Sequence, residues 1–368
     1  MTTKHKITAF LSVIGLSAFA QEDSLKIIPV QINPNLTISG YVETYYAYDF
    51  NEPENNTRPS FFYSHNRHNE VALNLGFIKA GYDNGSVRAN LALMAGTYAN
   101  ANLAAEEGVL KNVYEANAGV KLSKKANLWV DAGIFASHIG FESAVGKDCW
   151  TLTRSMLADN SPYYESGAKI SYTSPSGEWF VSGLILNGWQ RIQRPDGNKT
   201  IAFGHQLTYR PNSKVTLNSS SFIGNDKPEA YKRMRYFHNL YGQFQLTESF
   251  SLIAGFDIGA EQKSKSSESY NTWYSPVLIA QCRLNDKMAI GLRGEYYCDE
   301  NGVIIVSTDT ANGFKTFGYS ANFDYNIYDN VVWRLEARSL SSKDDIFLKG
   351  SEAVNTNTFV TTALAISF

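Results

Sequence analysis

The sequence predicts an all-β chain, folded as a transmembrane antiparallel up-and-down β-barrel of about 16 strands with short periplasmic turns and longer extracellular loops. Three observations predict it. From Leu36 onward, apolar and polar residues alternate in segments mostly nine to thirteen residues long, beyond the five or six of an ordinary soluble strand. The connections are sorted, with tight turns at one end of the segments and loops at the other. The apolar face of each segment is free of charge near its midpoint, where a Lys or Arg in lipid would cost about 2–4 kcal/mol.

The chain opens on "MTTKHKITAFLSVIGLSAFA". Lys4, His5 and Lys6 precede an apolar run from Ile7 to Leu16, and Ala18-Phe19-Ala20 precedes the polar Gln21-Glu22-Asp23. That order is a secretory signal peptide, expected to be cleaved after residue 20. Residues 21–35 then form a short periplasmic segment, too short for a plug domain, and residues 36–368 form the barrel. No later stretch has the roughly 20 apolar residues of a transmembrane helix.

The wall is read as sixteen strands. Thr37–Asp49, Glu70–Tyr82, Ser86–Tyr98, Val113–Leu122, Asn127–His138, Tyr164–Tyr172, Glu178–Gly188 and Ile201–Tyr209 make the first half. Lys214–Ile223, Arg235–Leu246, Phe250–Glu261, Trp273–Leu284, Met288–Tyr297, Phe314–Tyr325, Val331–Leu340 and Phe359–Phe368 make the second. Even-numbered segments lead to odd-numbered ones through tight turns such as "DNG" at Asp83, "SPSG" at Ser174 and "YDN" at Tyr328. Odd-to-even connections are longer and polar, as at 51–69, 139–163 and 341–358. A soluble sandwich has no reason to sort its connections by end, and an even count returns both chain ends to the short side.

In "VVWRLEARSL", Trp333, Leu335 and Ala337 alternate with Arg334, Glu336 and Arg338. In "MAIGLRGEYY", Met288, Ile290 and Leu292 alternate with Arg293 and Glu295. With no break where one sheet could end, a closed barrel removes the edges and places the apolar face in lipid. The segment at Glu178–Trp189 is apolar on both faces, so its parity is left open. Aromatic residues near strand ends, among them Tyr46, Tyr48, Tyr163, Tyr164, Trp179, Phe180, Tyr296, Tyr297, Phe323 and Tyr325, are expected to form the interfacial girdles.

Sixteen strands enclose an aqueous channel rather than a packed core. The residues expected to line it are Glu43, Arg88, Asp131, Asp257, Arg283, Arg293, Glu295, Arg334, Glu336 and Arg338; Glu70, Glu115, Glu165, Lys169 and Arg235 share the inward parity. The first half leans acidic and the second basic, which would set a transverse field. The longest loop, "IGFESAVGKDCWTLTRSMLADNSPY", carries Glu142, Lys147, Asp148, Arg154 and Asp159 and is expected to fold inward as a constriction.

The first strand "GYVETYYAYDFNEP", the runs "GIFASHIGFES" and "SPYYESGAKISY", and "LILNGWQ" together make the chain resemble the OmpL-like β-barrel porins of Bacteroidota, a Gram-negative group. Gly140 and Glu142 match that family's Gly-x-Glu corner at the start of the third loop, and Asn187, Gly188 and Trp189 its Asn-Gly-Trp. The resemblance implies an outer-membrane channel for passive diffusion of small polar or charged solutes. The terminal Phe368 looks like the signal read by the outer-membrane barrel-assembly machinery. Expected partners are therefore membrane lipids, that machinery and small polar solutes. Porins of this size are often trimers, so a homotrimer is an open expectation, although no strand face is plainly a subunit interface.

Other classes fit less well. A net charge of −2 gives no case for nucleic acid. None of the six histidines is followed two residues later by Ser, the pattern of a barrel phospholipase, so no catalytic residue is assigned. No cofactor or metal is expected; three cysteines lack ligand spacing, and a Cys149–Cys298 bridge would need their loops to meet. The alternative kept open is a non-conducting barrel whose outer loops serve adhesion, receptor or structural roles.

Overall fold

The computed structural model describes residues 33–307 and 310–368; the signal peptide and nearly all of the 21–35 segment lie outside them. The strands are β1 (Leu36–Asp49), β2 (Val71–Asp83), β3 (Val87–Ala95), β4 (Val113–Lys121), β5 (Asn127–Ala136) and β6 (Tyr164–Thr173). There follow β7 (Trp179–Leu186), β8 (Ala202–Asn212), β9 (Val215–Gly224), β10 (Arg235–Gln245), β11 (Phe250–Gln262) and β12 (Tyr270–Arg283). The chain ends with β13 (Met288–Asp299), β14 (Phe314–Tyr328), β15 (Val331–Ser342), the short β16 (Phe347–Lys349) and β17 (Glu352–Val354), and β18 (Thr356–Ser367).

β1 to β15 pair in sequence order and β18 closes the ring between β15 and β1, giving a closed barrel; β16 and β17 form a separate hairpin in the last loop. Every neighbouring pair is antiparallel, as tight turns require. The seam aligns Tyr41 with Ser367 and Val42 with Ile366. It is finished by Gly40 N–H donating to the Phe368 carbonyl at 2.7 Å and Phe368 N–H returning to Gly40 at 3.0 Å.

Alternation sorts side chains as expected: Leu335 is exposed outward while Arg334, Glu336 and Arg338 are buried within. The parity left open at β7 is now settled. Trp179, Val181, Gly183 and Ile185 point out, while Phe180, Ser182, Leu184 and Leu186 point in. Leu184 and Leu186 are apolar because they meet Phe135, Ile139 and Met156 inside the barrel, not water.

The same filling corrects part of the girdle reading. Tyr163, Tyr164, Phe180 and Tyr297 are buried on the lumen side, because loops packed there give aromatic rings a dry surface. β3 stops at Ala95 because the helix α1 (Thr97–Asn102) turns away from the wall. The three cysteines are free thiols, with Cys149 in the inner loop and Cys298 on β13, whose neighbours Tyr274 and Tyr296 mark the outer face.

Candidate functional site

The loop between β5 and β6, residues 137–163, enters the lumen and is buried almost throughout. Its only regular structure is two short turns, 3₁₀ at Gly146–Asp148 and α2 at Met156–Asp159. A segment with so few backbone pairs of its own must satisfy its peptide groups elsewhere once water is excluded. Charged side chains of the wall do this. Arg334 donates to the Gly146 carbonyl at 2.5 Å and to Cys149 at 2.8 Å. Arg338 donates to the Arg154 carbonyl at 2.8 Å, and Arg293 to that of Thr153 at 2.6 Å. In return Glu336 accepts from Thr153 N–H at 2.5 Å and Glu295 from Met156 N–H at 2.6 Å.

These wall residues also bind one another. Arg293 lies 3.2 Å from Glu295 and 2.8 Å from Glu336; Arg338 lies 2.6 Å from Glu295, and Arg334 lies 2.6 Å from Asp324. Charges in a dry throat are tolerated because each sign meets the other or an oriented peptide dipole. Arg293, Glu295, Arg334, Glu336 and Arg338 thus face inward but lie beneath the loop, at 0–3% exposure.

Glu43 is likewise covered. It accepts from Tyr41 and Asn74, sits 2.8 Å from His65 and lies against Gly146. Asp257 is buried and accepts from Asn239 at 2.5 Å. Arg283 stands at the turn-side rim, exposed, donating to the Glu248 carbonyl. Glu70 lies before β2 and pairs with Arg67 at 2.6 Å.

Within the loop, Arg154 is an internal brace: its guanidinium donates to the carbonyls of Ser143, Leu152 and Ala144 at 2.6, 2.6 and 3.1 Å. Glu142 accepts from the Ser155 N–H and hydroxyl, holding the start of α2. Asp159 receives the Tyr163 hydroxyl at 3.3 Å. Burial pushes the Glu142 carboxyl above its ordinary range and that of Asp159 up to about 7, against the pull of nearby Arg338 and Arg154. Lys147 reaches the far end, donating to Ser367 Oγ at 2.9 Å and to the carbonyl of Asp329, in the β14–β15 turn, at 3.3 Å.

Gly255 and Gly291 mark where the loop presses on the wall. A Cβ at Gly291 would strike the Trp150 carbonyl, and one at Gly255 the Phe141 ring. Inward glycines in strands were the one sequence signal for this contact.

The loop leaves space on the side of β2–β6. A cavity runs there, lined on the wall by Lys79, Arg88, Glu115, Asp131 and Lys169, and by Asp148 of the loop. Arg88 grips Asp131 through two contacts of 2.6 Å and stacks over Trp129, and Lys79 lies 2.7 Å from Glu115. Nearer the loops the lining turns aromatic, with Phe77, Tyr98, Tyr114, Tyr163 and Tyr164. Of the residues expected to line a channel, Arg88 and Asp131 meet at this cavity; of the loop set, Asp148 does. Sequence reading did not single out Lys79, Tyr98 or Tyr114 and took Tyr163 and Tyr164 for girdle residues, since only the position of the loop makes that wall the open one.

A closed antiparallel barrel of sixteen strands, apolar outside, charged inside and narrowed by an inward loop, is the architecture of an outer-membrane porin. The chain belongs to the family described as "Putative beta-barrel porin-2, OmpL-like", whose pattern matches residues 35–368. It is an outer-membrane porin.

Solved structures share the fold at low identity. The anion-selective porin from Comamonas acidovorans is 12% identical, with 90% of this chain and 99% of that one covered and a TM-score of 0.58. The outer membrane channel DcaP of Acinetobacter baumannii is 9% identical, with 90% and 97% covered and a TM-score of 0.59. OmpT of Vibrio cholerae, in its trimer form, is 10% identical, with 90% and 99% covered and a TM-score of 0.57. No curated protein matches the chain.

Proposed function

We propose that this porin passes small polar or charged solutes along the β2–β6 wall, and that the inner loop is a fixed constriction rather than a mobile gate. The observation that carries this reading is the cavity between Asp148 and the row Lys79, Arg88, Glu115, Asp131 and Lys169. Three cations and three carboxylates bound it, so selectivity by net charge is weak and dipolar solutes are oriented as they pass. The tyrosines at the loop side add flat surfaces for solutes with a ring or an apolar edge. In this reading the chain works by permeation and not by catalysis, its third-loop residues Glu142, Lys147, Arg154 and Asp159 hold the constriction's shape, Phe368 is its assembly signal, and it self-associates as a trimer, as OmpT does in its trimer form.

Planar-bilayer recording tests the permeation. The purified chain gives stepwise conductance, and Lys79→Glu with Lys169→Glu moves the reversal potential toward cations. A silent barrel returns the weight to adhesion or structural roles, and an unmoved reversal potential removes this wall from the path.

A further inference from the structure

The outer wall carries a feature that permeation does not use. Among the described residues, outward-pointing Asp, Glu, Lys, Arg or His side chains on the barrel strands are confined to Lys315, His205 and His238. Lys315 is at the loop end of β14 and pairs with Glu300 at 2.5 Å. The two histidines lie within the apolar band, between Phe203, Ile223 and Tyr236 on the loop side and Leu207 and Leu240 on the turn side, all exposed.

His205, Ser221 and His238 stand opposite one another on β8, β9 and β10. Nδ1 of His205 is 2.5 Å from Ser221 Oγ and its Nε2 is 3.3 Å from Ser219 Oγ; Ser219 Oγ is in turn 3.1 Å from His238 Nε2. Neutral imidazoles and hydroxyls offer about four donors and six acceptors in such a set. The three contacts among them use three of each, so one donor and three acceptors remain on a face that hydrocarbon surrounds. Hydrocarbon cannot meet them. Beside the cluster, Gly183 on β7 lies opposite His205 and is exposed, and a Cβ there would meet nothing nearer than Ile170 at 3.8 Å. The face is therefore a polar spot with a notch next to it, ringed by large apolar side chains.

We propose that the outer face of β7–β10 is where copies of this chain meet in the membrane, with His205, Ser219, Ser221 and His238 bonding across the contact and the notch at Gly183 receiving an apolar side chain of the neighbour. This rests on the self-association reading above and gives it a surface. A second copy is the occupant because the patch carries a spare donor together with spare acceptors, so the same groups on neighbouring copies pair where their patches converge on the trimer's axis. Lipid tails offer neither, and headgroups sit at the rim, outside the apolar rows that flank the histidines.

The test is bismaleimide cross-linking of the full chain in outer membranes, in a Cys282→Ser, Cys298→Ser background. Leu207→Cys on this face is expected to give cross-linked copies, and Leu335→Cys on β15 none. Gly183→Trp, or His205→Leu with His238→Leu, lowers the Leu207→Cys product at least tenfold while conductance per barrel and heat-modifiable mobility are kept. Cross-links at Leu335→Cys but not at Leu207→Cys overturn this face and leave self-association standing. A chain that stays single under mild extraction and gives no product at either position overturns both. A Leu207→Cys product with a protein of different mass overturns the second copy as occupant. Covalent labelling of Ser221 by a fluorophosphonate, with fatty acid released from phospholipid vesicles, would assign the cluster to ester hydrolysis instead and equally overturns it.

Discussion

Arg154 and Asp159 show what single side chains contribute in a lumen from which water is largely displaced. Arg154 is fully buried and serves three carbonyls of its own loop. Replacing it by Ala removes those bonds, leaving Ser143 only the weak Cys149 thiol, at about 1–3 kcal/mol for each oxygen left unpaired, less whatever relaxation recovers. The expected result of Arg154→Ala is at least tenfold faster amide exchange over residues 144–158, with the wall strands unchanged; equal protection in both proteins would remove its bracing role. Asp159 acts by its proton. Its folded value near 7 lies above the usual Asp value of 3.8, so its contribution is full below about pH 4, declines as pH rises and is gone above 7. Glu142 is shifted the same way, while Arg154, Arg293 and Arg338 face Asp159 and oppose its shift. Exchange at Ser155–Asn160, corrected for its intrinsic rate, is expected to be several-fold faster at pH 8 than at pH 5. Asp159→Asn should flatten that difference, and a difference that survives the substitution points to another group. Residue types and inward parity were legible in the sequence, since Arg293, Arg334 and Arg338 alternate with apolar neighbours. What they bind was not legible, because the partners are peptide groups of a segment over 130 positions away.

At the scale of elements, the wall and the loop differ in how much of them is local. Strand limits follow from alternation and turn residues, so β1, β6, β10 and β13 lie within a residue or two of expectation. β7 resisted because alternation encodes water on one side, and on the lumen side it meets the loop's apolar residues instead. The third loop was recognisable by length and mixed charge, but its route was not, as it depends on contacts spread over β1 and β10–β18. Those contacts also make it stiff. Deleting Ala144–Leu157 should therefore raise single-channel conductance at least twofold, since the removed backbone fills the lumen opposite β2–β6. A variant that folds and conducts as before would retire the constriction.

For the whole molecule, stability depends on closing the ring. At the seam, Phe368 lays its ring over Gly40, so a Cβ there would clash with it, whereas Gly294 has open space. Gly40→Leu is expected to lower the midpoint of heat-induced mobility change by several degrees, in keeping with a typical loss of about 1–3 kcal/mol, and Gly294→Ala to leave it unmoved. Equal midpoints in the two variants would show that the seam does not limit resistance to heat.

The tip of the inner loop finds its last two partners on Ser367 of the final strand and at Asp329 in the turn before β15. Ser367 becomes an anchor only once the final strand has been laid beside the first. During biogenesis, then, the last latch on the passage has to wait for completion of the cylinder. A half-built intermediate would be leaky for two reasons at once, an unzipped side and an unlatched interior, and both are cured in the same step.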